Sequence, residues 1–247
     1  MAKDACVALG IKDDNQLTAS IANDLFSNAG LVGGAVSGGG DNTLGIAGSL
    51  AAAREGIALR AYADPARGAG MNIGAGYNLN AHATTADADL KRAGVPEDRI
   101  ADVRSGKAQL TSDQAKRLIQ VSLMSYATQT KAAADQAAPG LWDRMVPAQR
   151  AVMIDLAYQT GNAAQFHNAW AALAKGDVDT FKKETHVHFT NDAGQQVIDT
   201  RGADLRASVL AGGAAWRARL QLLAGRPSNA IQSAAMTANS KGQSVQQ

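Results

Sequence analysis

A single cysteine, Cys6, in 247 residues excludes an internal disulfide and any metal site built from cysteines. The fold must therefore hold by packing alone, and the length is ample for burying a core in one or two domains. Aromatic residues are scarce, at 4%, while alanine and glycine are plentiful, which points to a helix-rich chain. An excess of charge of either sign is also missing. Lys and Arg number 24 against 22 Asp and Glu, giving a formal charge of +2 and a pI near 8.7. That balance excludes a dedicated nucleic-acid binder, although a mildly basic chain suits contact with an anionic polymer. No uncharged stretch approaches 18 strongly apolar residues, so neither a transmembrane helix nor stable membrane insertion is expected. The apolar run from Ala5 to Ile11 is cut off by Lys12, Asp13 and Asp14, too early for the core of an export signal.

Three regions are expected. Residues 1–45 read as an accessory segment with helical spacing at Leu17, Ile21, Leu25 and Phe26, followed by a glycine-rich linker from Ser37 to Asp41. Residues 46–225 carry the sharper patterns. Residues 226–247 are rich in Ser, Asn, Gln and Thr and cannot bury enough surface to offset the entropy of ordering, so a disordered tail is expected.

Within the central region, Leu50, Ile57 and Leu59 suggest a helical segment that carries Arg54, Glu55 and Gly56. From Tyr62 to Leu79 there is too much glycine for a helix, and the alternation around Met71, Ile73 and Tyr77 fits a small β-hairpin or ribbon. Thr111 and Gln114 have the spacing of a capping box, heading a helix that runs to about Gln136. Pro147 fits a first helical turn, and Val152, Met153, Leu156 and Ala157 form the face of a central buried helix ending near Gly161. Trp170, Leu173 and Phe181 mark further helix, and another begins around Leu205 to Leu210.

Cleaving a glycosidic bond requires a proton for the leaving oxygen together with a nucleophile or an activated water, usually supplied by two carboxyl groups. Glu55 and Asp64 are the leading pair. Glu55 sits in an apolar helical stretch, where a carboxyl can retain a proton, and Asp64 precedes Pro65 in a polar turn region, where it stays ionised. A carboxyl at the end of a helix and another on the adjoining β element would face each other across a cleft. Taken alone, Glu55 is equally a surface carboxylate paired with Arg54 or Arg60. His186 and His188 alternate as on a strand face, but four histidines without a clear third ligand read as surface residues and not as a metal site.

The run from Arg54-Glu55-Gly56 through Tyr62 to Asp64, followed by Asn72, Ile73, Gly74, Gly76 and Tyr77, resembles the signature of phage-type lysozymes, glycoside hydrolase family 24, exemplified by the enzymes of T-even phages. In that family a Glu-Gly on the first helix of the catalytic domain is followed by Tyr-x-Asp and a Thr-Ile-Gly-x-Gly ribbon. Later blocks agree in order: Leu110 to Ile119, Pro147 to Gly161 and, more weakly, Thr200 to Arg206, so the likeness spans about residues 50–225.

The resemblance implies an α+β, predominantly helical, lysozyme-like fold in which a small β ribbon and a helical lobe flank a cleft. It implies a muramidase cleaving the β-1,4 bond between N-acetylmuramic acid and N-acetylglucosamine of bacterial peptidoglycan, as a monomer, without cofactor or metal. Glu55 would be the general acid and Asp64 the second carboxylate. Asn72 would stand in place of the family's water-positioning Thr, and Tyr77, Tyr158 and Gln159 would line the cleft and bind substrate. Arg201 and Arg206 are expected in structural ion pairs. Two extra residues separate Asp64 from Asn72, and an amide replaces a hydroxyl. That departure leaves a lytic transglycosylase open, and beside it a non-catalytic wall-binding or virion structural protein. Without an evident signal, such an enzyme would reach the wall, on the periplasmic side, through release, virion delivery or injection.

Overall fold

The computed structural model describes residues 42–63, 70–190 and 195–211. The expected accessory segment up to residue 41 and the expected tail lie outside the described residues, as does the end of the central region from residue 212.

The first helix, α1 (Thr43–Glu55), is built largely of Ala, Gly and Ser, and Gly45 to Arg54 is buried without interruption. Alanine has the highest helix propensity, and small side chains let neighbouring helices approach on every side. Gly56, at φ 74°, ends the helix, its N–H donating to the Ala52 carbonyl at 2.9 Å. This corrects the expectation that Ile57 and Leu59 continue the helix. Ile57 is buried in the two-residue link, and Leu59 belongs to strand β1 (Ala58–Ala63).

β1 pairs antiparallel with β2 (Met71–Gly74), which pairs antiparallel with β3 (Tyr77–Asn78). Tyr62 lies opposite Asn72 and Ile73 opposite Tyr77, with a bulge in β1 between Ala58 and Tyr62. The glycine-rich stretch is thus a ribbon, as its composition predicts, one strand larger than a hairpin because β1 joins it.

Two short helices, α2 (Ala86–Arg92) and α3 (Ile100–Arg104), were not expected. They are too brief to show a period, yet Leu90, Ile100 and Val103 are buried. α4 (Ser112–Ala137) starts at the capping box that its sequence predicts. The Gln114 N–H donates to Thr111 Oγ1 at 3.1 Å, and the Thr111 N–H donates to Gln114 Oε1 at 2.9 Å.

After the single turn α5 (Leu141–Arg144) comes α6 (Pro147–Thr160), the central buried helix. Its proline occupies the first turn, where a missing N–H costs nothing, and Gly161 closes it in the left-handed conformation at φ 84°. α7 (His167–Lys175) and α8 (Val178–Glu184) are separated by Gly176 and by Asp177, which caps α8 by accepting from the Thr180 N–H at 3.0 Å. β4 (His188–Thr190) pairs with β5 (Gln196–Ile198), and α9 (Thr200–Ala211) closes the described chain.

α1 packs chiefly on α6, and α4 and α9 also lie against it. One hydrophobic core runs from Leu50 through Ile73, Leu118, Leu123, Met153 and Leu156 to Trp170 and Phe181. The architecture is mostly helical with a small three-stranded antiparallel sheet, an α+β arrangement. Among the described residues no helix is long and apolar enough to cross a membrane.

Candidate active site

Glu55 is the last residue of α1, and this terminal position decides its surroundings. Arg54, one residue earlier, is turned inward and 6% exposed, whereas the Glu55 side chain is 26% exposed. The turn between β2 and β3 lies directly against the Glu55 carboxyl. Gly76 has φ 81°, and a Cβ there would meet Glu55 Cγ at 3.2 Å and Cδ at 3.3 Å. Only glycine allows the ribbon to come this close in this backbone conformation. The turn is held from the other side by Tyr158 of α6, whose hydroxyl donates to the Ala75 carbonyl at 2.9 Å. A half-exposed carboxyl therefore sits where a helix end, the ribbon turn and α6 converge.

Beneath it lies a chain of charges. Arg54 Nη1 donates to Glu55 Oε1, and Arg54 Nη2 donates to Asp155 Oδ1 at 3.2 Å. Asp155 Oδ2 accepts from Arg206 Nη1 at 2.9 Å, and the same nitrogen reaches Gln159 Oε1 at 2.9 Å. Gln159 Nε2 donates to Asp199 Oδ2 at 2.7 Å, while Asp199 Oδ1 accepts from the Gly202 N–H at 2.8 Å. Asp155 and Arg206 are sealed from solvent, at 1% and 0% exposure. Charges this deep are tolerated only when paired and hydrogen-bonded.

Burial alone would lower the pKa of the Arg54 guanidinium, but Asp155, then Glu55 and Asp199, outweigh it and hold the value above that of an ordinary arginine. For Arg206 burial prevails over the attraction of Asp155 and the value is lowered, which still leaves an arginine charged at neutral pH. The Tyr158 phenol is pushed up by burial and by the nearby charge of Glu55.

The expected site residues fall as follows. Glu55 stands at the helix end facing the ribbon and is in contact with Arg54, one of the two partners that the sequence offered. Asp64 lies outside the described residues; β1 ends at Ala63, immediately before it. Asn72 is on β2, buried, opposite Tyr62 and Asn78. Tyr77 differs from expectation: it is 2% exposed, its hydroxyl donates to Asp89 Oδ2 at 2.8 Å, and its ring stacks on His82 at 4.6 Å. Burial, followed by the hydrogen bond to Asp89, raises the pKa of its phenol. The ring is therefore spent on anchoring the ribbon to α2 and presents no free face to a sugar. Tyr158 and Gln159 also have internal roles, one fastening the ribbon turn and the other bridging Arg206 to Asp199. Arg206 makes the structural ion pair that the sequence led us to expect, and the Arg201 side chain lies outside the described part.

Arg54, Asp155 and Asp199 were missed as site components. A signal existed in the sequence: Asp155 interrupts the apolar run Val152, Met153, Ile154, Leu156, Ala157, and Arg54 follows three alanines. A charge on a face that must be buried demands a partner. Among the described residues no group of three or more His, Cys, Asp or Glu side chains is arranged to hold a metal. His186 and His188 are exposed and share a surface hollow of about 400 Å³ with His167, away from Glu55.

Compared with family models, curated proteins and solved structures, the chain matches none.

Proposed function

We propose that this protein is a peptidoglycan hydrolase of the phage-lysozyme type, a muramidase on a lysozyme-like fold in which Glu55 protonates the glycosidic oxygen. The motif order from Glu55 to Arg206 supports the reading, and one observation carries it: the Glu55 carboxyl is half-exposed at the junction of α1, the ribbon turn and α6 while its backbone and neighbours are fixed. A proton donor needs that combination of solvent-side access and rigid support. In the proposed reaction the bond between the anomeric carbon of N-acetylmuramic acid and the bridging oxygen breaks as Glu55 delivers its proton to that oxygen. A water held by Asp64 and Asn72 attacks the anomeric carbon from the opposite face, inverting its configuration. No step needs a cofactor or a metal. The substrate lies in the cell wall, which the enzyme reaches by release, from a virion or by injection.

The experiment is muropeptide analysis by mass spectrometry after digestion of purified peptidoglycan. The wild type is expected to release hydrated reducing ends, and Glu55→Gln to lower the rate by about two to four orders of magnitude with an unchanged circular dichroism spectrum. Anhydro ends would instead mark a lytic transglycosylase, in which the substrate's own hydroxyl closes the ring. Wall binding without any product would mark a non-catalytic wall protein, and full activity in Glu55→Gln would end the assignment of this residue.

A further inference from the structure

We propose that Asp155 is a positioning residue that shares the Arg54 guanidinium with Glu55 and thereby sets the upper pH limit of activity. The inference rests on the reading of Glu55 as the proton donor and deepens it.

Two carboxyl groups compete for one guanidinium. Arg54 presents Nη1 to Glu55 and Nη2 to Asp155, and Asp155 in turn is gripped by Arg206. The charged and titratable groups around Glu55 come from three directions. Arg54 lies on its own helix, Asp155 and Tyr158 on α6, and Arg206 and Asp199 on and just before α9, joined through Gln159. Counted without Glu55, the buried set holds two positive charges, Arg54 and Arg206, and two negative ones, Asp155 and Asp199. It is neutral. Arg54 therefore does not need a negative Glu55 to be compensated, and a proton on Glu55 leaves no buried charge unbalanced. The carbonyl end of α1 adds partial negative charge at the same place, which also favours a neutral side chain there.

Removing the charge of Asp155 reverses this. The set without Glu55 becomes positive by one, Arg54 loses its second anchor, and an ionised Glu55 restores neutrality. The proton that catalysis needs is then surrendered at lower pH. An opposite charge at contact distance moves a carboxyl by about one to three pH units, so Asp155→Asn is expected to shift the alkaline limb of the activity profile down by at least about one unit, a loss of roughly tenfold on that limb. Asp155→Glu retains the charge and keeps the limb where the wild type has it, at a reduced rate.

The test is the pH–rate profile of the full chain on purified peptidoglycan for wild type, Asp155→Asn and Asp155→Glu. A uniform loss at all pH values in Asp155→Asn, or an unmoved limb, overturns the proposal, because a merely structural role lowers the rate without moving the limb. Should Asp155→Asn fail to fold, Asp199→Asn decides, since it removes a negative charge from the far end of the same chain. It is expected to shift the limb in the same direction by less, and no shift overturns the inference. Should the wild type release no product, the proposed activity fails separately. The positioning claim is then read without turnover, from the pH at which the Glu55 carboxyl carbon titrates by NMR in wild type and variants, with the same directions expected and the same result, no shift, overturning it.

Discussion

Ion pairs occur in two very different settings in this molecule. Around α2 and α3, Lys91 meets Glu97 at 2.7 Å and Arg104 meets Asp87 at 2.7 Å, with three of the four side chains more than 60% exposed. Between α1, α6 and α9, Arg54 and Arg206 meet Asp155 at 3.2 and 2.9 Å with none more than 6% exposed. The surface pairs are the shorter ones. Distance is thus a poor guide to consequence: exposed charges keep water as an alternative partner, whereas a buried charge that loses its partner has nothing to replace it.

The contrast is broken most sharply by Arg206→Met. It strands Asp155 in the core with only Arg54, and urea unfolding is expected to show a loss of about 3–5 kcal/mol. Gly202→Ala comes next. A Cβ there would lie 2.1 Å from Asp199 Oδ2, so the capping contact and the carboxylate must move, and a cost of about 1–3 kcal/mol is expected in the same assay. Gly76→Ala tests the border between the two settings. A side chain at φ 81° costs about 1–2 kcal/mol, and pressing on the Glu55 carboxyl should reduce peptidoglycan cleavage more than the stability change alone accounts for.

At the far end, Lys91→Ala should leave the melting temperature unchanged at pH 7. The Glu97 carboxyl is held below its ordinary value of 4.5, first by the hydrogen bond from Lys91 and then by its charge. A lowered folded-state value means that any stability from the pair is present above about pH 4.5 and is lost as pH falls through the folded value. Because the pair is fully exposed, melting curves of variant and wild type are expected to coincide above that pH, and in more acid solution as well.

Long and punctuated elements were legible from sequence. The capping box at Thr111, the proline at Pro147 and the glycine at Gly161 each act through a local backbone requirement, and the three features fall where their residues predict. α2 and α3 were not legible, because seven and five residues give no period to read. The end of α1 was overrun because Ile57 and Leu59 continue an apolar pattern, and the outcome depended on one backbone angle at Gly56. Of the candidate site, the position of Glu55 at a helix end beside a ribbon could be anticipated. The internal roles of Tyr77 and Gln159 could not, since an aromatic ring or an amide suits a sugar and a buried partner equally well. Asp89, Arg206 and Asp199 lie 12, 47 and 40 residues from the groups they hold, and only the folded chain brings them together.

β1 forms one margin of the three-stranded sheet, but that margin is not left open. Leu110 donates its N–H to the Leu59 carbonyl at 2.8 Å, Arg60 forms a bridge with Gln109, and Arg60 Nη1 reaches the Gly106 carbonyl at 2.6 Å. Gly106, at φ 76°, comes so near that a Cβ would be 2.8 Å from the Ala61 carbonyl oxygen. The loop before α4 thus acts as a hem on the fabric of the sheet, occupying hydrogen-bonding groups that a strand from a second molecule would otherwise seize. Loosening that hem, more than any loss in the helical core, is the change that would expose the protein to self-association through its small β element.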